Sequence, residues 1–299
     1  MQISANGLRF EVDDQGPADA EPLLMIMGLG MQLVAWPQGL VQQLLAAGFR
    51  VIRFDNRDAG LSQHLDQLGV PNIAIASVQH LLRLPVRSPY SLADMARDAL
   101  GVLDALGLRR AHVCGASMGG MIAQQLALLA PERVKSLTLM MTSSGSHRLP
   151  GPSMRVRGAL LSRPSDPHDF AAVAERTYRL FRLIGSPAYP APEAELRQRI
   201  SASLRRSNRP RGVLRQLAAI AADTHRAGQL GRIKTPTLVQ HGNKDPLIPV
   251  AAAHDLVRRI AGARLDIIEG MGHDLPEQLW PRFVAGIRSV AESGGLSDA

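Results

Sequence analysis

The sequence predicts an α/β protein: a mostly parallel, doubly wound sheet with an inserted helical lid. Three observations carry this. Strand-length runs such as Leu23–Met27 and Val134–Met141 are predominantly apolar, as strands covered on both faces must be. Helix-length amphipathic stretches lie between such runs, which is the order of strand–helix–strand crossovers. The alternation stops at Gly145, gives way to helical text broken by prolines at 150, 152, 164, 167, 187, 190 and 192, and resumes at Thr237. Residues 1–144 and 226–299 are therefore read as one core, and 145–225 as a helical cap inserted into it.

Taken in order, Ile3 to Val12 alternates loosely and reads as an edge strand or hairpin, followed by an acidic turn around Asp13 to Glu21. Leu23–Met27 is a buried strand that opens into the tight Gly28-Leu29-Gly30 loop. Trp36-Pro37 starts a helix that runs to about Ala47, where Gly48 ends it, and Val51-Ile52-Arg53-Phe54 is the next strand. Asp55 to Gly60 forms a polar turn. From Ser62 to Tyr90, with prolines at 71, 85 and 89, the text is less regular and reads as an extended excursion over the surface. Ser91 with Asp94 marks a helix start, and Met95, Leu100, Val102, Leu103 and Leu106 suit an amphipathic helix ending at Gly107. After the cap come a strand at Thr237–Gly242, a helix from about Val250 to Ile260, a strand at Leu265–Ile268 and a final helix from about Pro276 to Ala291.

With 45% apolar and 20% charged residues, the 299-residue chain has the composition of a globular protein with a large core. No apolar run approaches the roughly 20 residues of a membrane helix, and Met1 to Asp14 lacks a basic-then-apolar leader pattern. A cytoplasmic protein with no membrane partner is expected. The one cysteine, Cys114, lies in an apolar strand and reads as a buried, inert thiol; no metal-binding spacing is present. The net charge of +8 is regional, since residues 148–226 hold 15 Arg against 6 acids. Scarce aromatic residues and the lack of a reading motif argue against nucleic acid; an attraction for acidic substrates or interfaces fits the charge better. Oligomeric state, including a homo-oligomer, stays open.

The chemistry gathers on Val113-Cys114-Gly115-Ala116-Ser117-Met118-Gly119-Gly120-Met121, a strand, a glycine-flanked turn and a helix running to Ala130 before Pro131. Gly-x-Ser-x-Gly spacing is what a sharp strand-to-helix corner needs, because side chains at the glycines would collide with the neighbouring elements. Ser117 then stands exposed as a nucleophile, with the first free amide of the helix, Met118, beside it as an oxyanion donor. Two other strand ends carry matching groups: Asn243-Lys244-Asp245-Pro246 and Gly270-Met271-Gly272-His273. His273 would relay the Ser117 proton and Asp245 would orient the imidazole. A rival acid after Met141 is missing, since Thr142-Ser143-Ser144 has no carboxylate. His112 and His241 read as structural histidines, and Asp274 as a surface residue. Asp245 could instead simply cap its own turn. Met31, Met121 and Met141, with Gly28 and Gly30, are candidate pocket residues, although methionines in such positions are commonly core.

These motifs resemble the α/β-hydrolase family over most of the chain, from Leu23-to-Gly30 through the Ser117 corner and His241-Gly242-Asn243-Lys244-Asp245 to Gly270-Met271-Gly272-His273. The resemblance implies that Leu29 supplies the second oxyanion amide, although this chain has Met27-Gly28 where the family often has His-Gly. Asp55 to Gly60 followed by Ser62 resembles the family's Asp-x-Arg-x-x-Gly-x-Ser turn, a structural feature. Within the family, Gly-Leu-Gly-Met, Trp-Pro, Val-Ile-Arg-Phe-Asp-Asn-Arg-Asp and the Ser-Met-Gly corner are similar to small-ester carboxylesterases and aclacinomycin-type methylesterases. The implied activity is cofactor-free hydrolysis of a small carboxylic ester through an acyl-enzyme. Lactone, thioester or carbon–carbon hydrolysis, acyl transfer, peracid formation, and a non-catalytic small-ligand receptor are the alternatives that share this scaffold.

Overall fold

The computed structural model describes residues 1–82, 84–162, 164–166 and 168–295. Its strands are β1 (Gln2–Ala5), β2 (Leu8–Gln15), β3 (Glu21–Ile26), β4 (Phe49–Phe54), β5 (Ala111–Ala116), β6 (Val134–Met140), β7 (Thr237–Gly242) and β8 (Arg264–Ile268). They form one sheet in the order β1-β2-β4-β3-β5-β6-β7-β8. β1 and β2 pair antiparallel and β2 joins β4 antiparallel, whereas β4, β3, β5, β6, β7 and β8 run parallel. The β1–β2 hairpin turns at Asn6-Gly7, whose φ values of 47° and 73° are what a two-residue hairpin loop demands.

Alternation along each parallel strand explains why the runs are apolar throughout. Leu23 and Met25 pack with helices α1 (Gln38–Ala46) and α11 (Trp280–Gly295), through Leu40, Leu44, Phe283 and Ile287. Leu24 and Ile26 face the opposite layer, which includes Met95 and Val102 of α3 (Leu92–Ala105), Ile122 and Leu126 of α4 (Met118–Leu129), and Leu256 of α10 (Ala251–Arg259). Both faces are buried, so neither set of positions tolerates a polar side chain without a partner. Each fully buried Leu or Ile contributes about 1.5–3 kcal/mol relative to exposure. The Ser91 start of α3 is a reciprocal capping box with Asp94.

Two expectations need correction. The turn expected from Asp13 starts only at Gly16: β2 continues to Gln15, because Asp13 accepts from Arg53 Nε at 2.6 Å and Asp14 from Arg50 Nη2 at 2.6 Å across the sheet edge. Acids that looked like turn residues are ladder residues with cationic partners on β4. Within the 62–90 excursion, Ile73–Leu81 is a helix, α2, packed against α8 (Pro210–Ala222). At nine residues it is too short to be stable as a helix on its own, and the packing partner lies far along the chain.

Between β6 and β7 the described helices are α5 (Met154–Leu161), α6 (Phe170–Ile184), α7 (Glu193–Arg206), α8 and α9 (Arg226–Gln229). Ion pairs fasten them to the sheet. Arg206 Nη1 donates to Asp55 Oδ2 and Gln32 Oε1, each at 2.7 Å. Arg215 makes a two-pronged contact with Asp58 at 2.7 and 2.8 Å and reaches Asp66 at 3.0 Å. Among the described residues no helix is long and apolar enough to cross a membrane.

Arg215 and Asp58 are each 1% exposed. Burial works to push the Asp58 carboxyl up, but Arg215, the Leu65 N–H and the Tyr90 hydroxyl together hold it below the ordinary aspartate range. A depressed folded value means that its stabilisation is complete above the unfolded pKa of about 4 and is lost as pH falls through the lower folded value. Arg215→Gln should cost about 3–5 kcal/mol at pH 7 by stranding the buried carboxylate. In urea unfolding, the gap between wild type and variant should narrow as pH is lowered from 7 toward 3; a gap that widens would contradict this assignment.

Candidate active site

Ser117 follows β5 directly and takes φ 56° and ψ −122°, a region that non-glycine residues rarely occupy. Its surroundings hold it there. The Ser117 N–H donates to Met140 O at 3.0 Å, and its carbonyl accepts from Gly120 N at 3.0 Å and from Thr142 Oγ1 at 2.6 Å. A Cβ on Gly119 would run into the Ile26 carbonyl oxygen, and one on Gly115 into the Gly119 carbonyl oxygen. The first turn of α4 therefore passes backbone to backbone over the ends of β3 and β5, which only glycine permits.

The end of β7 supplies Asp245 and the loop after β8 supplies His273. His273 Nε2 lies 3.0 Å from Ser117 Oγ and its Nδ1 lies 2.7 Å from Asp245 Oδ2. Three residues far apart along the chain thus form one hydrogen-bonded line. Asp245 makes the contacts of both readings considered for it: Oδ1 accepts from Leu247 N at 2.9 Å and Ile248 N at 2.8 Å, capping the turn, while Oδ2 is left for the imidazole. With its tautomer set by Asp245, the imidazole presents Nε2 to the serine hydroxyl.

The amides of Leu29 and Met118 complete the arrangement. Among the described residues neither N–H donates a hydrogen bond. Met118 opens α4, where N–H groups have no intrahelical acceptor. Leu29 lies in a turn closed by Met31 N donating to Gly28 O at 3.1 Å. A Cβ on Gly28 would sit 3.0 Å from Ser117 Cβ and 3.5 Å from its Oγ, so this loop borders the hydroxyl. An oxyanion donor of this kind is typically worth about 2.7–4 kcal/mol in the transition state.

The other candidate positions divide. Gly30 faces α8, since a Cβ there would meet Val213 Cγ2 at 2.7 Å. Met121 packs into the core cluster shared with α3, whereas Met141 packs into the cluster on the opposite face of the sheet and Met31 packs against that same cluster. The three methionines therefore do not share one packing layer. His241 is buried, with Nε2 bonded to Ile248 O at 2.8 Å, and burial lowers its pKa. His112 bonds Ser136 Oγ at 2.8 Å, and burial lowers it to about 4. Burial likewise pushes the Cys114 thiol up to about 12.

Asp274 is not the free surface residue that its sequence position suggested. Oδ1 accepts from the Ser186 N–H at 3.1 Å and from the Ser186 hydroxyl, and burial raises the carboxyl pKa. Ser186 Oγ also accepts from Gly272 N at 2.8 Å, and Ile184 O accepts from His273 N at 2.7 Å. The end of α6 thus braces the histidine loop. These contacts span 86–89 residues of sequence, so no local pattern could reveal them.

The family model described as alpha/beta hydrolase fold matches residues 21–278, which contain every residue of this site. The chain belongs to the alpha/beta hydrolase family. Among characterised relatives of this hydrolase, rhodomycin D methylesterase DnrP of Streptomyces peucetius is 33% identical over 291 residues, covering 91% of this chain and 90% of that one. A 2-hydroxy-6-oxononadienedioate/2-hydroxy-6-oxononatrienedioate hydrolase of Cupriavidus pinatubonensis is 28% identical over 273 residues, covering 89% and 84%. Among solved structures, the enol-lactonase of Burkholderia xenovorans LB400 superposes with a TM-score of 0.74 at 22% identity, covering 98% of this chain and 100% of that one, which speaks to the fold.

The strained corner generates a prediction. Ser117→Gly should relieve a conformation that costs a non-glycine residue about 1–3 kcal/mol, partly offset by the greater unfolded-state freedom of glycine. Ser117→Gly should therefore unfold at higher temperature than Ser117→Ala, which keeps the strain, by about 1 kcal/mol in stability. Calorimetry of the two variants decides it, and a less stable glycine variant would show that the corner is not strained.

Proposed function

We propose that this alpha/beta hydrolase is a serine esterase that cleaves carboxylic esters of small molecules through an acyl-enzyme. The observation that carries the reading is the unbroken Asp245–His273–Ser117 line beside two undonated amides, those of Leu29 and Met118. The methylesterase relative, at 33% identity, supports a small alcohol as leaving group and makes methyl esters the first substrates to try.

In the proposed reaction Ser117 Oγ attacks the ester carbonyl carbon while His273 Nε2 takes the hydroxyl proton. The carbonyl oxygen gains negative charge and is met by the Leu29 and Met118 amides. Asp245 keeps the Nδ1 proton in place and stabilises the imidazolium. Collapse breaks the carbon–oxygen bond to the alcohol, which leaves with the proton from His273. Water then attacks the acyl carbonyl with the same imidazole as base, releasing the carboxylic acid and restoring Ser117. The residues required for this sequence are all side chains and amides of this chain.

The helices of 145–225 are proposed as a cap over the hydroxyl, supported by the hold of Ile184 and Ser186 on the histidine loop. A cytoplasmic setting belongs to the same proposal and is supported by a lone buried thiol at Cys114.

Wild-type enzyme should hydrolyse p-nitrophenyl acetate and simple methyl esters, and a fluorophosphonate should label Ser117 stoichiometrically. Ser117→Ala should lose labelling and on the order of 10⁴-fold or more in kcat. An inactive, unlabelled wild type would reject the esterase reading; equal rates in wild type and variant would reject Ser117 as nucleophile.

A further inference from the structure

One buried amide on the cap touches the loop that carries Leu29. Gln216, on α8, is fully buried. Its Oε1 accepts from the Gly30 N–H at 2.8 Å and its Nε2 donates to the Arg57 carbonyl at 2.8 Å. Because the Arg57 carbonyl can only accept, it fixes which end of the amide faces Gly30, and that end must be the oxygen.

The bonded N–H belongs to the central peptide of a turn. Met31 N closes the turn onto Gly28 O, Leu29 keeps φ outside the left-handed region and Gly30 takes φ 66°. That sign pattern is the type II turn, in which the central peptide is rotated by half a turn relative to type I. A glycine at 30 permits either form, so the residue alone does not select one. Acceptance of the Gly30 N–H by Gln216 does select one, since the flipped peptide would turn the Leu29 carbonyl oxygen, not a donor, toward Oε1. Val213, one turn earlier on the same face of α8, also approaches Gly30, where a Cβ would meet its Cγ2 at 2.7 Å. On the opposite flank, Asn56 Nδ2 holds the Met27 carbonyl at 2.9 Å.

We infer that Gln216 is a positioning residue for ester hydrolysis: it anchors the Gly30 side of the turn while Asn56 anchors the Met27 side, and the Leu29 N–H between the two anchors is held where the oxyanion develops. The inference rests on the esterase reading above. It assigns to the cap a part in transition-state stabilisation that is separate from covering the substrate. Misplacing one preorganised donor lowers the chemical step and leaves ground-state binding nearly untouched, whereas a loosened cap lowers binding and the folded fraction.

The test compares wild type, Gln216→Met and Gln216→Glu on p-nitrophenyl acetate, with rates expressed per site titrated by fluorophosphonate so that misfolded protein does not count. Gln216→Met keeps the volume and removes both hydrogen bonds. It should lower kcat on the order of tenfold to a hundredfold, with KM within about twofold of wild type. Gln216→Glu retains an acceptor for the Gly30 N–H and should recover part of the lost kcat. It carries the test alone if the methionine variant yields no titratable sites, its kcat then lying below wild type at unchanged KM. A kcat per site equal to wild type in the folded variants, or a loss expressed wholly in KM, would overturn the positioning role while leaving the esterase reading intact. A wild type that neither turns over nor titrates would instead bring down the esterase reading itself.

Discussion

The site depends on one constraint: at the end of β5 the chain must turn into α4 within a single residue, at a backbone conformation that residue does not favour. Everything that touches Ser117 follows from this. The turn is possible only because Gly115 and Gly119 let the first turn of α4 lie on the ends of β3 and β5. The same compression aims the hydroxyl at the carboxyl edge of the sheet and leaves the Met118 amide beside it with no acceptor among the described residues. Strain at Ser117 is held by bonds to Met140 and Thr142 from the neighbouring β6 strand and its extension. Preorganisation here is therefore a property of the sheet, and the side chains at 245 and 273 are delivered by the next two strands in the same order.

The arginine excess of residues 148–226 acquires a physical meaning once its partners are known. Asp55 and Asp58, buried at the end of β4, receive Arg206 and Arg215. Arg226 is buried against Asp223, the Gln124 side chain and the Ser143 carbonyl. Part of the cationic charge between β6 and β7 thus answers acids at the end of β4 that would be costly to bury alone. Others, such as Arg179 and Arg197, pair with Glu175 and Glu193 on exposed helix surfaces, where such pairs add little. Composition alone cannot separate these classes.

What was legible in the sequence was whatever local periodicity or spacing encodes. The parallel strands show as apolar runs because both faces are covered, and the serine, aspartate and histidine show because each stands in a short motif at a strand end. The order Ser117, Asp245, His273 could be read; that they meet at 3.0 and 2.7 Å required the sheet. Illegible were features fixed by partners distant in sequence. The acids of β2 needed the arginines of β4, α2 needed α8, and the polar role of Asp274 needed Ser186. Gln216 is the extreme case: an ordinary glutamine in an ordinary amphipathic helix, distinguished only by its position against a turn 186 residues earlier.

These distant contacts also restrict how the helices above the site can move. Ile184 and Ser186 grip the loop carrying His273, and Gln216 grips the loop carrying Leu29, so the 184–216 stretch is tied at its two ends to two loops of the proposed site. Lifting all of these helices as one body would break the bonds to Gly272, His273, Asp274, Gly30 and Arg57 together. Each such bond is modest, about 0.5–1.5 kcal/mol net, but the donors and acceptors stripped of partners in a buried place cost more. Such a motion would also disassemble the amide and the imidazole that the proposed reaction needs. Substrate access that preserves the site must therefore leave α8 and the end of α6 in place. α5 packs against α6. The proposed catalytic geometry and the seating of the helices between β6 and β7 are in this sense one structure, set by the same few hydrogen bonds.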